Sequence, residues 1–437
     1  MRPMNALIAI SALSILLLSN NMLYVLGVSY MSEGGNPLEK LHPSFYLTLI
    51  SALVCLLYQP HMNRIAATGF RTYSLALMAA AALVIGWIMV SPNNAGELSS
   101  PIVTFLTPAL FMYTFTRTDD SFLRRAAAFV PIFFLVNSCL GVIGSLTGFN
   151  MLPRIAGEVV VAYDARPTAL LGHPLINAQM TGVYFLYLIV KSLKDGFTFS
   201  RFFQTFLHLG ALVTFGGRAA LVIALTISGI YAIYSLFTGK LRSIKSIGLL
   251  AYGGFAAIPL ALAAGLGAVL MERLENDGGS ADTRLAAIQM LSYLSPTEWL
   301  IGITPSHRAA MLIQLQTPQG FESFPVALIT NYGLPIALVI TVATFALLFR
   351  VARPLGANGF WLVTYFFLTS ASALSIGSKS ITISLFLIIV MACIVNDASR
   401  RRRSVRAGVA KSGNGRPTRS SSSSNDMPLA QSSLGTR

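Results

Sequence analysis

Few residues in this chain have side chains suited to chemistry at charged groups, and they fall in three short stretches. The first, RPTALLGHPLINAQMTG, sets Arg166 seven residues before His173, with Asn177 and Gln179 just beyond. The second, FGGRAAL, carries Arg218 behind two glycines, which permit a tight turn or a close backbone approach. The third is the long polar stretch 271–323, which holds Arg284, His307, Arg308 and Glu322. Guanidinium groups grip phosphates and carboxylates through paired, charge-assisted hydrogen bonds. An imidazole accepts a proton near neutral pH. The set suits an anion, a phosphate or pyrophosphate above all, held beside a proton acceptor.

Each residue also has a plainer role open to it. Arg218 stands at the mouth of an apolar segment, where an arginine either snorkels to the interface or marks a site. His173, Asn177 and Met180 share one helix face at i, i+4 and i+7, and Pro174 suits the first helical position. That polar stripe either lines a cavity for a polar substrate or hydrogen-bonds a neighbouring helix. In GSADTRLAAIQML, Ser280 or Asp282 serves as helix cap, with Leu285, Ile288 and Leu291 as the apolar face. Arg284 falls in the first turn, where backbone N–H groups favour an anion; the alternative is a solvated pair with Asp282. GITPSHRAAM starts a further helix, with Ser306 as cap, and puts His307 and Arg308 at its head. His307 is there either a base or a solvated surface residue. Glu322 lies where the polar stretch returns to apolar sequence, placed to orient a cation or bind a hydroxyl.

These stretches are set in an apolar frame. Of the 437 residues, 54% are hydrophobic and 11% charged, against about 25% charged in soluble domains. Apolar runs of about 20 residues recur, as in polytopic membrane proteins. The expected fold is all-α, with about twelve transmembrane helices near 5–30, 43–59, 72–91, 101–116, 126–147, 172–190, 202–216, 219–238, 247–270, 323–349, 359–377 and 380–396. Residues 271–322 then form one large outer loop between the ninth and tenth spans. Loops of this length are usually functional or disordered, and its apolar periodicity and aromatic residues predict a folded one. With the N-terminus inside, 23 of the 31 Lys and Arg residues fall on the inner side, so both termini are placed in the cytoplasm. The net charge of +15 reflects this orientation and the tail, and does not point to nucleic acid.

The membrane domain is thus 1–396, followed by a basic, Ser-rich tail over 397–437. RRRR at 400–403 reads as a stop-transfer anchor, and disorder is expected from about Gly408. Cys55, Cys139 and Cys393 sit singly in apolar runs and read as packing. No Walker loop, CxxC, HExxH or GxSxG pattern occurs, so no cofactor and no metal is expected. The polar residues gather at the outer mouths of the spans and leave the midplane apolar.

The whole arrangement resembles the O-antigen polymerase and ligase superfamily. RPTALLGHPLINAQMTG is similar to that superfamily's Arg-, Gly- and Asn-Pro-rich start of a mid-chain span. FGGRAAL looks like its Ser-Arg-Gly turn, with Gly217 in place of the serine. QGFESFPVALITNYGLP resembles its Gly–Ile–Glu–Asn and Tyr–Gly–Leu re-entry, most of all in the exopolysaccharide branch of VpsF-like proteins. The likeness spans about residues 70–395. It implies a glycosyltransferase at the periplasmic face of a bacterial inner membrane, acting on sugar chains carried by undecaprenyl diphosphate. Arg218 and Arg284 would hold the lipid diphosphate, and His307 would be the acceptor-side base. Arg166, His173, Asn177, Arg308 and Glu322, on the reading above, make up the substrate-binding set. The ligase branch's histidine is followed by Asn, Ser or Gln and a glycine about ten residues on. Here Arg308 follows His307 and Gly320 lies thirteen on, a departure that weakens the case for a ligase. Partners implied are the undecaprenyl-diphosphate-linked oligosaccharide, membrane lipid, and flippase and chain-length regulator proteins. Rival functions are glycan ligation to lipid A core or protein, and membrane transport, although no internal repeat relates the two halves.

Overall fold

The computed structural model describes residues 2–30, 36–58, 70–91, 98–118, 120–156, 159–160, 166–196, 198–238, 280–316, 322–373 and 375–412. The ninth apolar segment at 247–270, the polar stretch up to 279 and the serine-rich tail from 413 lie outside these residues. The chain divides into two compact units, Met1–Asn396 and Asp397–Arg437.

Where water is absent, every backbone N–H and C=O needs an internal partner, and apolar runs therefore coil. The helices are α1 (Arg2–Leu17), α2 (Asn20–Val25), α3 (Pro43–Tyr58), α4 (Phe70–Val90) and α5 (Ser99–Pro101). A π-helical turn (Ile102–Leu106) leads into α6 (Thr107–Phe115), followed by α7 (Asp120–Thr147), α8 (Pro174–Asp195), α9 (Phe199–Thr214) and α10 (Arg218–Phe237). Then come α11 (Ser280–Ser292), α12 (Pro296–Ile301), α13 (Pro305–Gln314), α14 (Phe324–Tyr332), α15 (Leu334–Ala352), α16 (Ala357–Ala371) and α17 (Thr382–Ser412). A two-residue antiparallel ladder pairs β1 (Ile155–Ala156) with β2 (Val159–Val160) before α8.

Among the described residues, four helical stretches are long and apolar enough to cross a membrane: Phe70–Val90, Ser121–Thr147, Arg218–Phe237 and Leu334–Leu355. Only 33–39% of each apolar window is buried, so most of these side chains face outward, as they do in lipid. Apart from the short ladder, the described residues outside the turns are helical, and their apolar helices are those of a membrane-embedded protein. At its centre α8 is the opposite case, buried at every residue from Asn177 to Leu193, among α7, α9, α10 and α16. Gly182 makes room for α16, since a Cβ there would come within 1.9 Å of the Tyr365 hydroxyl. Gln179 Nε2 then donates to Thr369 Oγ1 (3.0 Å) and Ser370 Oγ (2.8 Å) across the same contact.

Two segments expected to be continuous are broken. The first, 5–30, stops after α1 and restarts at Ser19, which caps α2 by accepting from Met22 N. Asn21 Nδ2 draws α2 onto the segment before α8, donating to Pro153 O (2.6 Å) and Gly172 O (2.8 Å). The second, 323–349, breaks into α14 and α15 at Gly333, whose φ of 79° is in the left-handed region. A Cβ at Gly333 would lie 2.1 Å from Leu300 O. Gly302, at φ 83°, presses back on the Thr330 and Asn331 carbonyls, and Ile303 N donates to Thr330 O at 2.8 Å. Gly333→Ala is expected to destabilise the protein by more than about 1 kcal/mol, seen as a lower melting temperature in detergent.

Those glycine contacts dock the described part of the polar stretch, 280–316, on α14. It is folded: α11, α12 and α13 enclose Ala287, Met290, Leu294, Ile303 and Met311, which share a core with Val326 of α14. Two local expectations fail there. Leu285 and Ile288 are 56% and 65% exposed, because the equally periodic face of Ala287, Met290 and Leu294 is the one that meets Val326. Thr304, not Ser306, caps α13 by accepting from His307 N (3.1 Å), since Pro305 takes the first helical position.

Candidate functional site

The segment leading into α8 is pinned by its own polar side chains. Thr168 Oγ1 donates to Leu152 O (2.6 Å), Thr168 N to Asn150 Oδ1 (3.0 Å), and Leu170 N to Asn137 Oδ1 on α7 (3.0 Å). Asn177 Nδ2 donates to Thr168 O (2.5 Å) and His173 O (3.1 Å), so Asn177 braces this segment against α8. Arg166 is consequently buried. Burial pushes its guanidinium down to about 10, while the Glu322 carboxylate opposes the change. It stays a cation at neutral pH.

His173 is the N-cap of α8, its Nδ1 accepting from Leu175 N at 3.3 Å, which leaves the proton of the neutral ring on Nε2. The charges of Arg154 and Arg166 act on its ring.

Glu322, just before α14, joins two of the stretches. Arg284 Nη2 donates to Glu322 Oε2 at 3.4 Å, in a pair about two-fifths exposed. Such a pair is worth little to stability by itself. Its position is more telling, since the same carboxylate acts on buried Arg166, and Arg154 and Arg166 both act on His173. Among the described residues, Arg154, Arg166 and Arg284 are thus gathered around Glu322 and His173 with guanidinium in excess, an arrangement that suits an anion.

Arg218 is brought to the same helix by different means. Gly216 has φ 65°, and a Cβ on Gly217 would come within 2.5 Å of the Ala178 Cβ. The FGGR turn therefore lies flat on the first turns of α8, and half-buried Arg218 opens α10 there.

His307 belongs to a separate arrangement. Ser295 caps α12 in a capping box, Glu298 Oε2 accepting from Ser295 N (2.9 Å) and Oγ (2.8 Å). Glu298 Oε1 meets His307 Nδ1 at 2.5 Å. Burial alone would raise the Glu298 carboxyl, but the Ser295 and His307 contacts outweigh it and hold the group below its usual range. An ionised carboxylate only accepts, so Nδ1 carries the proton and Nε2 presents its lone pair as a base. Arg308 Nη1 donates to Asn331 Oδ1 (2.7 Å) near the end of α14. The nine residues of α14 span roughly 13 Å. Arg308, the residue after His307, thus reaches one end of α14, and the arginine cluster gathers at the other.

Several participants escaped the sequence reading. Glu298 was signalled by Ser295–Pro–Thr–Glu298, a capping-box spacing. Arg154 stood out only as one of the few basic residues on the outer side, and Asn331 had no distinguishing context. Ser138 Oγ and His208 Nδ1 meet at 2.7 Å in the middle of α7 and α9, both buried, with the His208 ring edge-on to Tyr184. A lone Ser and a lone His in separate segments carry no spacing signal. No family model matches the chain, and no curated protein matches it.

Proposed function

We propose that the protein is a polysaccharide polymerase of a bacterial inner membrane. In this reading twelve spans hold both termini in the cytoplasm, and residues 271–322 lie in the periplasm. The observation that carries the proposal is the joining of Arg284 and buried Arg166 through Glu322, next to His173. A cationic seat at the end of apolar helices suits a lipid diphosphate that arrives sideways from the bilayer. The acceptor hydroxyl attacks the anomeric carbon of the donor sugar, and the bond from that carbon to the diphosphate oxygen breaks. Undecaprenyl diphosphate leaves with the electron pair, stabilised by Arg218 and Arg284. The hydroxyl proton passes to His307 Nε2, which Glu298 orients.

The test is mass spectrometry of lipid-linked saccharides, with a polymer blot, in cells lacking the gene. Single lipid-linked repeats piling up without polymer is the expected result. Long lipid-linked chains left unattached to an acceptor would identify a ligase instead. Normal levels of both would favour transport, the second reading, which draws on the buried Ser138–His208 pair because ionisable groups within spans often mark transport paths.

A further inference from the structure

The break between α1 and α2 is held from both sides. A helix that stops leaves carbonyls to be satisfied, and just past α1 it is His42 that satisfies one. Ser44 N donates to His42 Nδ1 (3.1 Å), so the ring proton is on Nε2, which donates to Leu18 O at 2.6 Å. Ser19 then caps α2. What the break delivers is Asn21, buried at 3% exposure, whose amide donates to Pro153 O (2.6 Å) and Gly172 O (2.8 Å). These carbonyls belong to the residues immediately before Arg154 and His173. Gly172 has φ 75°, and a Cβ there would come within 2.6 Å of Ser19 Oγ and 3.1 Å of the Asn21 Cβ, so α2 lies directly against it. One amide thus ties together the two chain segments that carry Arg154 and His173. Thr168 joins the same segments at Asn150 and Leu152. Without Asn21 they should therefore shift against each other while staying attached.

We propose that Asn21 is a positioning residue, which sets the separation of Arg154 from His173 and so tunes the site for two linked phosphoryl groups over a single phosphate. This rests on the reading of the arginine cluster as a diphosphate seat. Arg154 brings a guanidinium and His173 an Nε2–H. Two donors a fixed distance apart can grip both ends of a diphosphate, whereas a single phosphate needs only one of them. Their spacing then decides the preference, and small errors of placement are expensive in a site built this way.

The experiment is calorimetric titration of the full chain in detergent at low ionic strength, with inorganic pyrophosphate and, separately, orthophosphate. Wild type should prefer pyrophosphate. Asn21→Ala should reduce that preference by about tenfold or more while binding orthophosphate as the wild type does. Asn21→Gln keeps an amide for both carbonyls but places it one methylene further out, and should reduce the preference by about threefold or more. This second variant decides the matter if Asn21→Ala fails to fold. An unchanged preference in folded Asn21→Ala or in Asn21→Gln would overturn the proposal. Equal weakening of both anions would do the same, since Asn21 would then be a brace that sets no spacing. Either result leaves the diphosphate seat standing, because the wild-type preference remains. Wild type that does not prefer pyrophosphate would remove the seat, and the proposal with it.

Discussion

Cells whose only copy carries Arg218→Ala are expected to make no detectable polymer while the protein accumulates at its normal level. The turn before Arg218 owes its shape to Gly216 and to the contact of Gly217 with Ala178, neither of which involves the guanidinium. Alanine is a better helix former than arginine at the start of α10, so the fold should survive. Removing a group that stabilises charge on a leaving diphosphate should lower turnover by about 10²–10³-fold. Arg218→Lys should recover only part of this, because an ammonium lacks the paired geometry of a guanidinium. An immunoblot of membranes beside a mass spectrum of lipid-linked repeats reads both quantities. Normal polymer from normally folded protein would take Arg218 out of the site.

The second large effect is expected at His307. Losing a general base costs about 10²–10⁴-fold, so His307→Ala should leave single repeats accumulating on lipid. The position is partly exposed and outside the main core, and Thr304 still caps α13 through the backbone N–H of residue 307. Glu298→Gln separates orientation from folding, because glutamine at this position of a capping box still bonds the Ser295 N–H. It removes the charge that fixes the His307 ring, and its polymer yield should fall between wild type and His307→Ala. If His307→Ala makes polymer at the wild-type rate, the proton has another acceptor and the Glu298–His307 pair is structural.

What could be read in advance was local. Helices α4 and α10 fall within two residues of the apolar segments 72–91 and 219–238, because length and hydropathy alone delimit them. The interruptions at Ser19 and Gly333 were not readable, since each depends on a partner distant in sequence. Asn21 is held by Pro153 and Gly172, and Gly333 by Leu300. The same applies to the site. Arg166, Arg284 and Glu322 each stood out by residue type, but their meeting depends on how 280–316 docks on α14. The choice between the faces of α11 likewise turned on Val326, which lies outside that helix. Ser138 and His208 needed two helices to be aligned before either had meaning.

The break at Gly333 turns α14 into a ruler. Its first residue follows the Glu322 cluster and its last turn holds Arg308 and, beside it, His307. In the proposed reaction the diphosphate and the incoming hydroxyl are therefore gauged apart by a rod of fixed length and phase, and the donor sugar must lie along it. One residue added within α14 would lengthen the rod by about 1.5 Å and turn one end against the other by roughly 100°. Such an insertion would keep every one of these side chains in the sequence but set the two groups out of step. It separates the presence of catalytic groups from their spacing, which no single substitution in the cluster can do.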